Sequence, residues 1–273
     1  MSDTLTQICD VKRGHIARNK QMRSPSDLRT LAEHMPPTRG FLSSMQKATA
    51  LPNKPDEIAA NRTALIAEIK KASPSAGLIR SDFDPVAIAN SYQSAGATCL
   101  SVLTDEDFFQ GHDTYLHQIR DHVALPILRK DFIIDPYQVY ETKALEADCM
   151  LLIMACLDDA LARDLHQLAL SLGLDVIVEV HNQEELDRAL LLTPHMIGVN
   201  NRNLKTLEVS LQTSHELKRN MPDHIFPIAE SGIKTHKDLE DLQNIGFKGF
   251  LVGEHLMKQD DIEAATKKLL NGN

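Results

Sequence analysis

Cysteine is sparse in this chain. Its four residues, Cys9, Cys99, Cys149 and Cys156, show neither C-x-x-C spacing nor the density of a disulfide framework. Reduced thiols in a cytoplasmic setting are therefore expected, with Cys99 and Cys149 inside apolar, strand-like runs. Basic charge is also short: 29 Lys and Arg stand against 38 Asp and Glu, a formal net charge of −9. An acidic chain has no general attraction for nucleic acid or an anionic membrane, so neither is expected as a partner. Any anionic ligand would have to be held by locally gathered Lys, Arg and backbone N–H groups. Long hydrophobic runs are missing too. The most continuous, MLLIMACL at 150–157, falls far short of the roughly 20 residues that span a bilayer. The opening MSDTLTQICD is too polar for a signal peptide. No nucleophile elbow, Walker loop or dinucleotide fingerprint occurs. The twelve histidines lack H-x-x-x-H or mixed Cys/His ligand spacing, so no metal is expected. His112, His117, His122 and His166 are read as helix-surface or loop residues.

What is present is a repeating pattern. From residue 64 onward, short runs rich in Ile, Val and Leu alternate with amphipathic stretches. The runs are ALIAEIK (64–70), TCLSVLT (98–104), LPILRK (125–130), CMLLIMA (149–155), DVIVEV (175–180), HMIGVN (195–200), HIFPIAE (224–230) and KGFLVGE (248–254). Without long polar alternation they suit parallel strands buried on both faces. The stretches between them have helix punctuation. DPVAIANSYQSAG starts on Asp84–Pro85 and stops at Gly96, DPYQVYETKALEA repeats that start at Asp135–Pro136, and LDDALARDLHQLALSLG stops at Gly173. Strand starts recur every 20 to 35 residues or so, the spacing of a βα unit. Eight such units fill roughly 250 residues, so 273 accommodate one (β/α)8 TIM barrel over 64–273 and no second one. An open doubly wound sheet is the alternative.

Residues 1–63 differ. Helices are expected near 3–20, 25–34 and 54–63, with a Pro-rich turn at Met35–Pro36–Pro37, as a helical extension packed on the barrel. A monomer is expected.

Charge appears where a core should be. Barrel active sites lie at the C-terminal ends of the strands. Glu68 and Lys70 share one face at the end of the first run by the period of two. Lys130 ends the third, Glu179 lies near the end of the fifth, and Glu230 ends the seventh. One such residue alone reads best as a solvated rim group. Five on alternate strands, each in an apolar run, read better as a paired cluster, since buried charges are costly unless paired. Lys and Glu gathered in a closing pocket are suited to acid–base work. AESGI (229–233) and FLVGE (250–254) put glycines after the seventh and eighth runs, where many barrels hold a phosphate on backbone N–H groups. GVNNRN (198–203) adds Asn200, Asn201 and Arg202, which also fit an ordinary Asn-rich turn.

IAEIKKASPSAG (66–77), SVLTDEDFFQG (101–111), PILRKDFIIDPYQ (126–138), VEVHNQEEL (178–186), IGVNNRNLKT (197–206), IAESGI (228–233) and LVGEHLM (251–257) closely resemble the indole-3-glycerol-phosphate synthase family. The likeness runs from about residue 50 to the C-terminus, with motifs in seven of the eight strand-end loops. It implies an enzyme that takes an anionic phosphosugar, 1-(o-carboxyphenylamino)-1-deoxyribulose 5-phosphate, to indole-3-glycerol phosphate, carbon dioxide and water in tryptophan synthesis, without a cofactor. Carried over by motif, Lys130 is the general acid for ring closure, Glu179 the base for the final dehydration, and Lys70 its acid or electrostatic partner. Glu68 and Glu230 orient the lysines, and Asn200 and Ser231 bond the reacting part of the substrate. The family's phosphate site maps onto Ser231, Gly232, Gly253 and Glu254, with Lys70 as a further contact. The anthranilate ring falls to Phe132, Leu204 and one of Phe108 or Phe109, and its carboxylate to Ser73, Asn200 and Arg202.

Two positions depart from the family's common pattern. Ala76 stands where many members have Lys, and His255 stands where a small residue such as Ser is usual. A rival reading, a phosphoribosylanthranilate isomerase, would call for a Cys–Asp pair at the barrel mouth, and no matching motif is found. A catalytically silent scaffold barrel would be expected to lack Lys70, Lys130 or Glu179, and all three are present.

Overall fold

The computed structural model of the chain describes residues 4–50, 63–204 and 206–272. The helix expected near 54–63 falls almost wholly on 51–62, outside the described residues. Eight strands, β1 (Ala64–Ile69), β2 (Cys99–Leu103), β3 (Ile127–Lys130), β4 (Cys149–Ile153), β5 (Asp175–Val180), β6 (Met196–Asn200), β7 (Phe226–Glu230) and β8 (Gly249–Val252), pair in parallel in chain order, and β8 returns to β1. The sheet is closed, which overturns the open-sheet alternative. Each strand lies within its expected run, trimmed by at most three residues per end.

Strand side chains divide by the period of two. Ala64, Ile66, Cys99, Leu128, Cys149, Leu151, Ile177, Met196, Ile228 and Leu251 pack together inside the barrel. Their neighbours Leu65, Ala67, Leu100, Val102, Ile127, Met150, Val176 and Val178 face the surrounding helices. Those helices start at the mouth, held by side chains that accept from the first free backbone N–H groups: Asp84, Asp135, Asp158, Asn182 and Asp261 at successive N-caps. Thr235 and Asp238 form a reciprocal capping box. His166, expected on a helix surface, is buried instead. It lies on the inner face of α8 (Asp159–Ser171), four positions from Ala162, and burial lowers its pKa.

The N-terminal segment runs from the mouth to the floor. α1 (Thr4–Met22) is pinned at the mouth by Lys12, whose Nζ lies 2.8 Å from Asp105 and 2.7 Å from Asp131 with all three side chains nearly inaccessible. α2 (Pro25–Glu33) packs on α7 (Pro136–Ala144), where the Tyr137 hydroxyl faces the carbonyls of Asn19 and Arg23 at 3.0 and 3.2 Å. A third helix, α3 (Phe41–Thr49), was not expected from the pattern. It spans nine residues with only Phe41 and Met45 fully buried, too short for its periodicity to stand out. Both side chains enter the barrel interior from the strand-start end and close it.

Asp148, just ahead of β4, holds that floor together. It accepts from the backbone N–H of Arg39 (2.7 Å) and Ile127 (2.8 Å) and from Arg120 at 2.8 and 2.9 Å, with no exposure to solvent. Asp175 accepts the Leu42 backbone N–H at 2.9 Å. Removing one partner of a buried pair strands the other charge. Asp148→Ala should therefore lower folding stability by about 3–5 kcal/mol, read as a fall in the urea midpoint.

Candidate active site

The inward positions change character at the mouth. Below them the interior is apolar; at the last inward turn of β1, β3, β5 and β7 stand Glu68, Lys130, Glu179 and Glu230. Lys130 Nζ bridges the barrel, 2.7 Å from Glu179 Oε2 and 3.2 Å from Glu230 Oε2. Lys70, one residue beyond β1, donates to Glu68 Oε2. Asn200, ending β6, donates from Nδ2 to Glu179 Oε1 at 3.2 Å, and its Oδ1 accepts the Arg202 backbone N–H at 3.0 Å.

Burial and charge compete at each group. Burial would discharge Lys130, but the carboxylates of Glu179, Glu230 and Glu68 outweigh it and hold the ammonium charged well above the usual lysine range. Burial also opposes ionisation of Glu179, yet Lys130 and His181 more than offset this and keep it a carboxylate. Glu230 goes the other way. Burial, joined by the nearby Glu179 charge, overcomes the pull of Lys130 and pushes it up to about 8. One ammonium thus serves one ionised and one readily protonated carboxyl, the arrangement expected when two like charges share a dry site.

Glycine makes room for these carboxylates. A Cβ on Gly198 would stand 2.1 Å from Glu230 Oε1, and one on Gly253 would stand 2.1 Å from Glu68 Oε2. Neither glycine is there for a left-handed turn; each is there because a methyl would occupy the carboxylate's place. By contrast Ser231 (φ 64°) and Gly232 (φ 86°) do take left-handed backbone, turning the chain sharply after β7 at the rim.

A cavity of about 560 Å³ fills the mouth. It is lined by Glu68, Lys70, Ser73, Phe109, Lys130, Phe132, Glu179, Asn200, Arg202, Leu204, Glu230, Ser231, Gly232, Gly253 and Glu254. Of the residues singled out from sequence, Phe108 and Asn201 do not line it; the Asn201 amide is turned onto the Glu230 and Ser231 carbonyls and the Ser214 hydroxyl. The one-turn helix Glu106–Phe109 spends the Phe108 N–H on Asp105 and turns Phe109 toward Phe132, with ring centroids 6.1 Å apart. Arg202 reaches Glu254 at 3.2 Å, and Lys258 reaches the same carboxylate at 2.7 Å. The N-terminal extension roofs part of the mouth: Thr4, Leu5 and Ile8 of α1 also line the cavity, residues that the sequence reading did not name. The signal available was the apolar pair Leu5 and Ile8 at helical spacing. Lys234 and Lys258 are further wall residues that the sequence reading did not name, and His255 stands in the same wall. Among the described residues no group of three or more His, Cys, Asp or Glu is placed to hold a metal ion. No described helix is long and apolar enough to cross a membrane.

Fold and cavity together define a (β/α)8 barrel with a paired acid–base cluster at its mouth and a left-handed, glycine-bearing rim beside it. A family described as indole-3-glycerol phosphate synthase matches residues 5–269. Indole-3-glycerol phosphate synthases of Azospirillum brasilense and Rhodospirillum rubrum are 51% and 49% identical to this chain, each over 99% of it and all of the relative. The chain belongs to the indole-3-glycerol phosphate synthase family. Solved barrels share the fold at low identity. They include an N-acetylmannosamine-6-phosphate 2-epimerase from Clostridium perfringens (TM-score 0.56, 14% identity, 76% of this chain and 93% of that one) and a thiamine phosphate pyrophosphorylase from Pyrococcus furiosus (0.53, 16%, 78% and 96%).

Because the Gly198 site is occupied by Glu230, Gly198→Ala must displace a buried carboxylate. A stability loss of about 1–3 kcal/mol is expected from overpacking. Turnover should fall with it as Lys130 loses a partner. Thermal denaturation and steady-state kinetics on the same preparation check both.

Proposed function

We propose that this chain performs the indole-3-glycerol phosphate synthase reaction with Lys130 as general acid and Glu179 as general base. The observation that carries the reading is the bridging position of Lys130 between Glu179 and Glu230 inside the apolar-walled cavity. Ring closure joins an aromatic carbon to the ribulose C2 carbonyl carbon, and negative charge builds on the carbonyl oxygen. An ammonium within reach donates its proton there and turns the oxygen into a hydroxyl. Loss of carbon dioxide then returns electrons to the ring. Expelling water around the carboxylate favours that loss, and Phe109, Phe132 and Leu204 supply an apolar wall for it. Dehydration needs a base for the departing proton and an acid for the departing hydroxyl. Glu179 is ionised and suited to the first, and Lys70, held by Glu68, is suited to the second.

The substrate's phosphate falls to the opposite rim. Ser231, Gly232, Gly253 and Glu254 line it, with the cations Lys234 and Lys258 in the same wall. Backbone N–H groups freed by the turn after β7 suit a dianion there. Ser73 and Arg202, both lining the cavity, are assigned to the carboxylate before it leaves. The cavity volume lies in the range of about 300–1,000 Å³ that encloses most of a small ligand.

Lys130→Ala should leave the fold intact and lower turnover by about 10²–10⁴-fold. Indole fluorescence after adding the carboxyphenylamino substrate reads it, and near-wild-type turnover by the folded variant would reject the assignment. Glu179→Gln should slow the steps after ring closure more than binding. Single-turnover traces that match the wild type would remove Glu179 from the base role.

A further inference from the structure

The residue two positions after Glu179 has no part in the reaction as set out above. We infer that His181 is a positioning residue that clamps the Glu179 carboxylate from behind, as the inner link of a Glu185–His181–Glu179 chain closed on its far side by Lys130. Its Nδ1 lies 2.9 Å from Glu185 Oε2 and its Nε2 lies 3.2 Å from Glu179 Oε1, with the side chain 8% exposed. Both neighbours are carboxylates, which accept and do not donate when ionised. Both ring nitrogens must therefore carry protons for the two contacts to be attractive together, which makes the ring a cation.

Glu185 is itself fixed in the first turn of α9 (Gln183–Leu190). Its Oε2 also accepts the His181 backbone N–H at 2.9 Å, and its Oε1 accepts Asn182 Nδ2 at 2.8 Å. The charged groups facing the imidazole are Glu179 on β5 and Glu185 on α9; the Cys156 thiol, from the turn after β4, lies in the field of the same two carboxylates. Lys130 stands across Glu179. Burial would lower the His181 pKa, but the two carboxylates, Glu179 and Glu185, prevail and push it up to about 9.

The clamp matters most when substrate is bound. The Nε2 approach to Glu179 leaves that nitrogen without an aligned hydrogen-bond partner, so His181 restrains the carboxylate chiefly by charge. Once Lys130 turns its proton toward a substrate oxygen, Glu179 keeps one cation, His181, and one amide, Asn200. It stays ionised and aimed until it is needed.

This inference rests on the base role proposed for Glu179, and its test separates the two. Wild-type formation of indole-3-glycerol phosphate checks the reaction. For the clamp, kcat is followed against pH in wild type, His181→Gln and Glu185→Gln. Wild type should lose kcat as pH rises through about 9, where the imidazolium gives up its proton. His181→Gln, which keeps a donor without charge, should lower kcat about ten-fold at neutral pH with KM within two-fold, and the alkaline limb should disappear. Glu185→Gln removes one anion, so the limb should move about one unit lower. An NMR titration of the His181 ring in wild type and Glu185→Gln reads the same shift without using activity. A merely structural histidine would change stability and leave the limb in place. Unchanged limbs in the folded variants, a rise in KM alone, or a His181 ring that titrates near 6.5 would overturn the clamp. If His181→Gln does not fold, Glu185→Gln and the ring titration decide.

Discussion

An ammonium enclosed by a barrel must be paired or it will discharge. Lys130 meets that constraint with two carboxylates, one from β5 and one from β7, and the rest of the mouth is organised around the pairing. β5 and β7 each end in an inward Glu because Lys130 needs both, and β6 carries Gly198 because the Glu230 carboxylate takes the volume of a side chain. The same economy recurs just past β8, where Gly253 gives way to Glu68, the partner of Lys70. Apolar layers beneath raise the strength of every such contact by excluding water. The pocket is therefore stable as a set. Taking one member away leaves the others charged, buried and unmatched.

A second, outward-facing network stiffens the strand that carries Lys130. Arg129, the residue before it, points away from the cavity and meets Glu141 at 2.8 Å and Asp113 at 3.0 Å, with Asp131 at 3.4 Å. Asp131, the residue after it, is held by Lys12 of α1 and by the Thr104 hydroxyl at 2.7 Å. Lys130 thus sits between two neighbours that are fixed on the outer side. α1 reaches the Lys130 strand through this link while its own Thr4, Leu5 and Ile8 form part of the cavity roof.

The barrel was legible because its two periodicities are clean. Apolar runs of six or seven residues between capped helices fit a buried parallel sheet, and their places at the ends of alternate runs gathered Glu68, Lys130, Glu179 and Glu230 at one mouth. The family's motifs then supplied the roles. Features set by contacts between distant segments were hidden. Phe41 and Met45 are one helical turn apart in a nine-residue stretch, and nothing in that spacing says that they plug a barrel. Lys12 reads as one of several charges on a polar helix until Asp105 and Asp131 are brought to it. Phe108 and Phe109 are adjacent, so no periodicity could choose between them; the choice came from the Asp105 cap on a single helical turn. Nothing in the sequence gives Gly198 its reason, because the need for an absent methyl is visible only beside Glu230.

The α3 plug carries a consequence for traffic. With Phe41 and Met45 sealing the strand-start end, the described residues leave the cavity a single doorway, framed in part by α1. Carbon dioxide, water and the bulky indole product must all leave by the route the substrate used to enter. Each catalytic round has to empty before the next can load, and the first turns of the N-terminal helix stand where the queue forms.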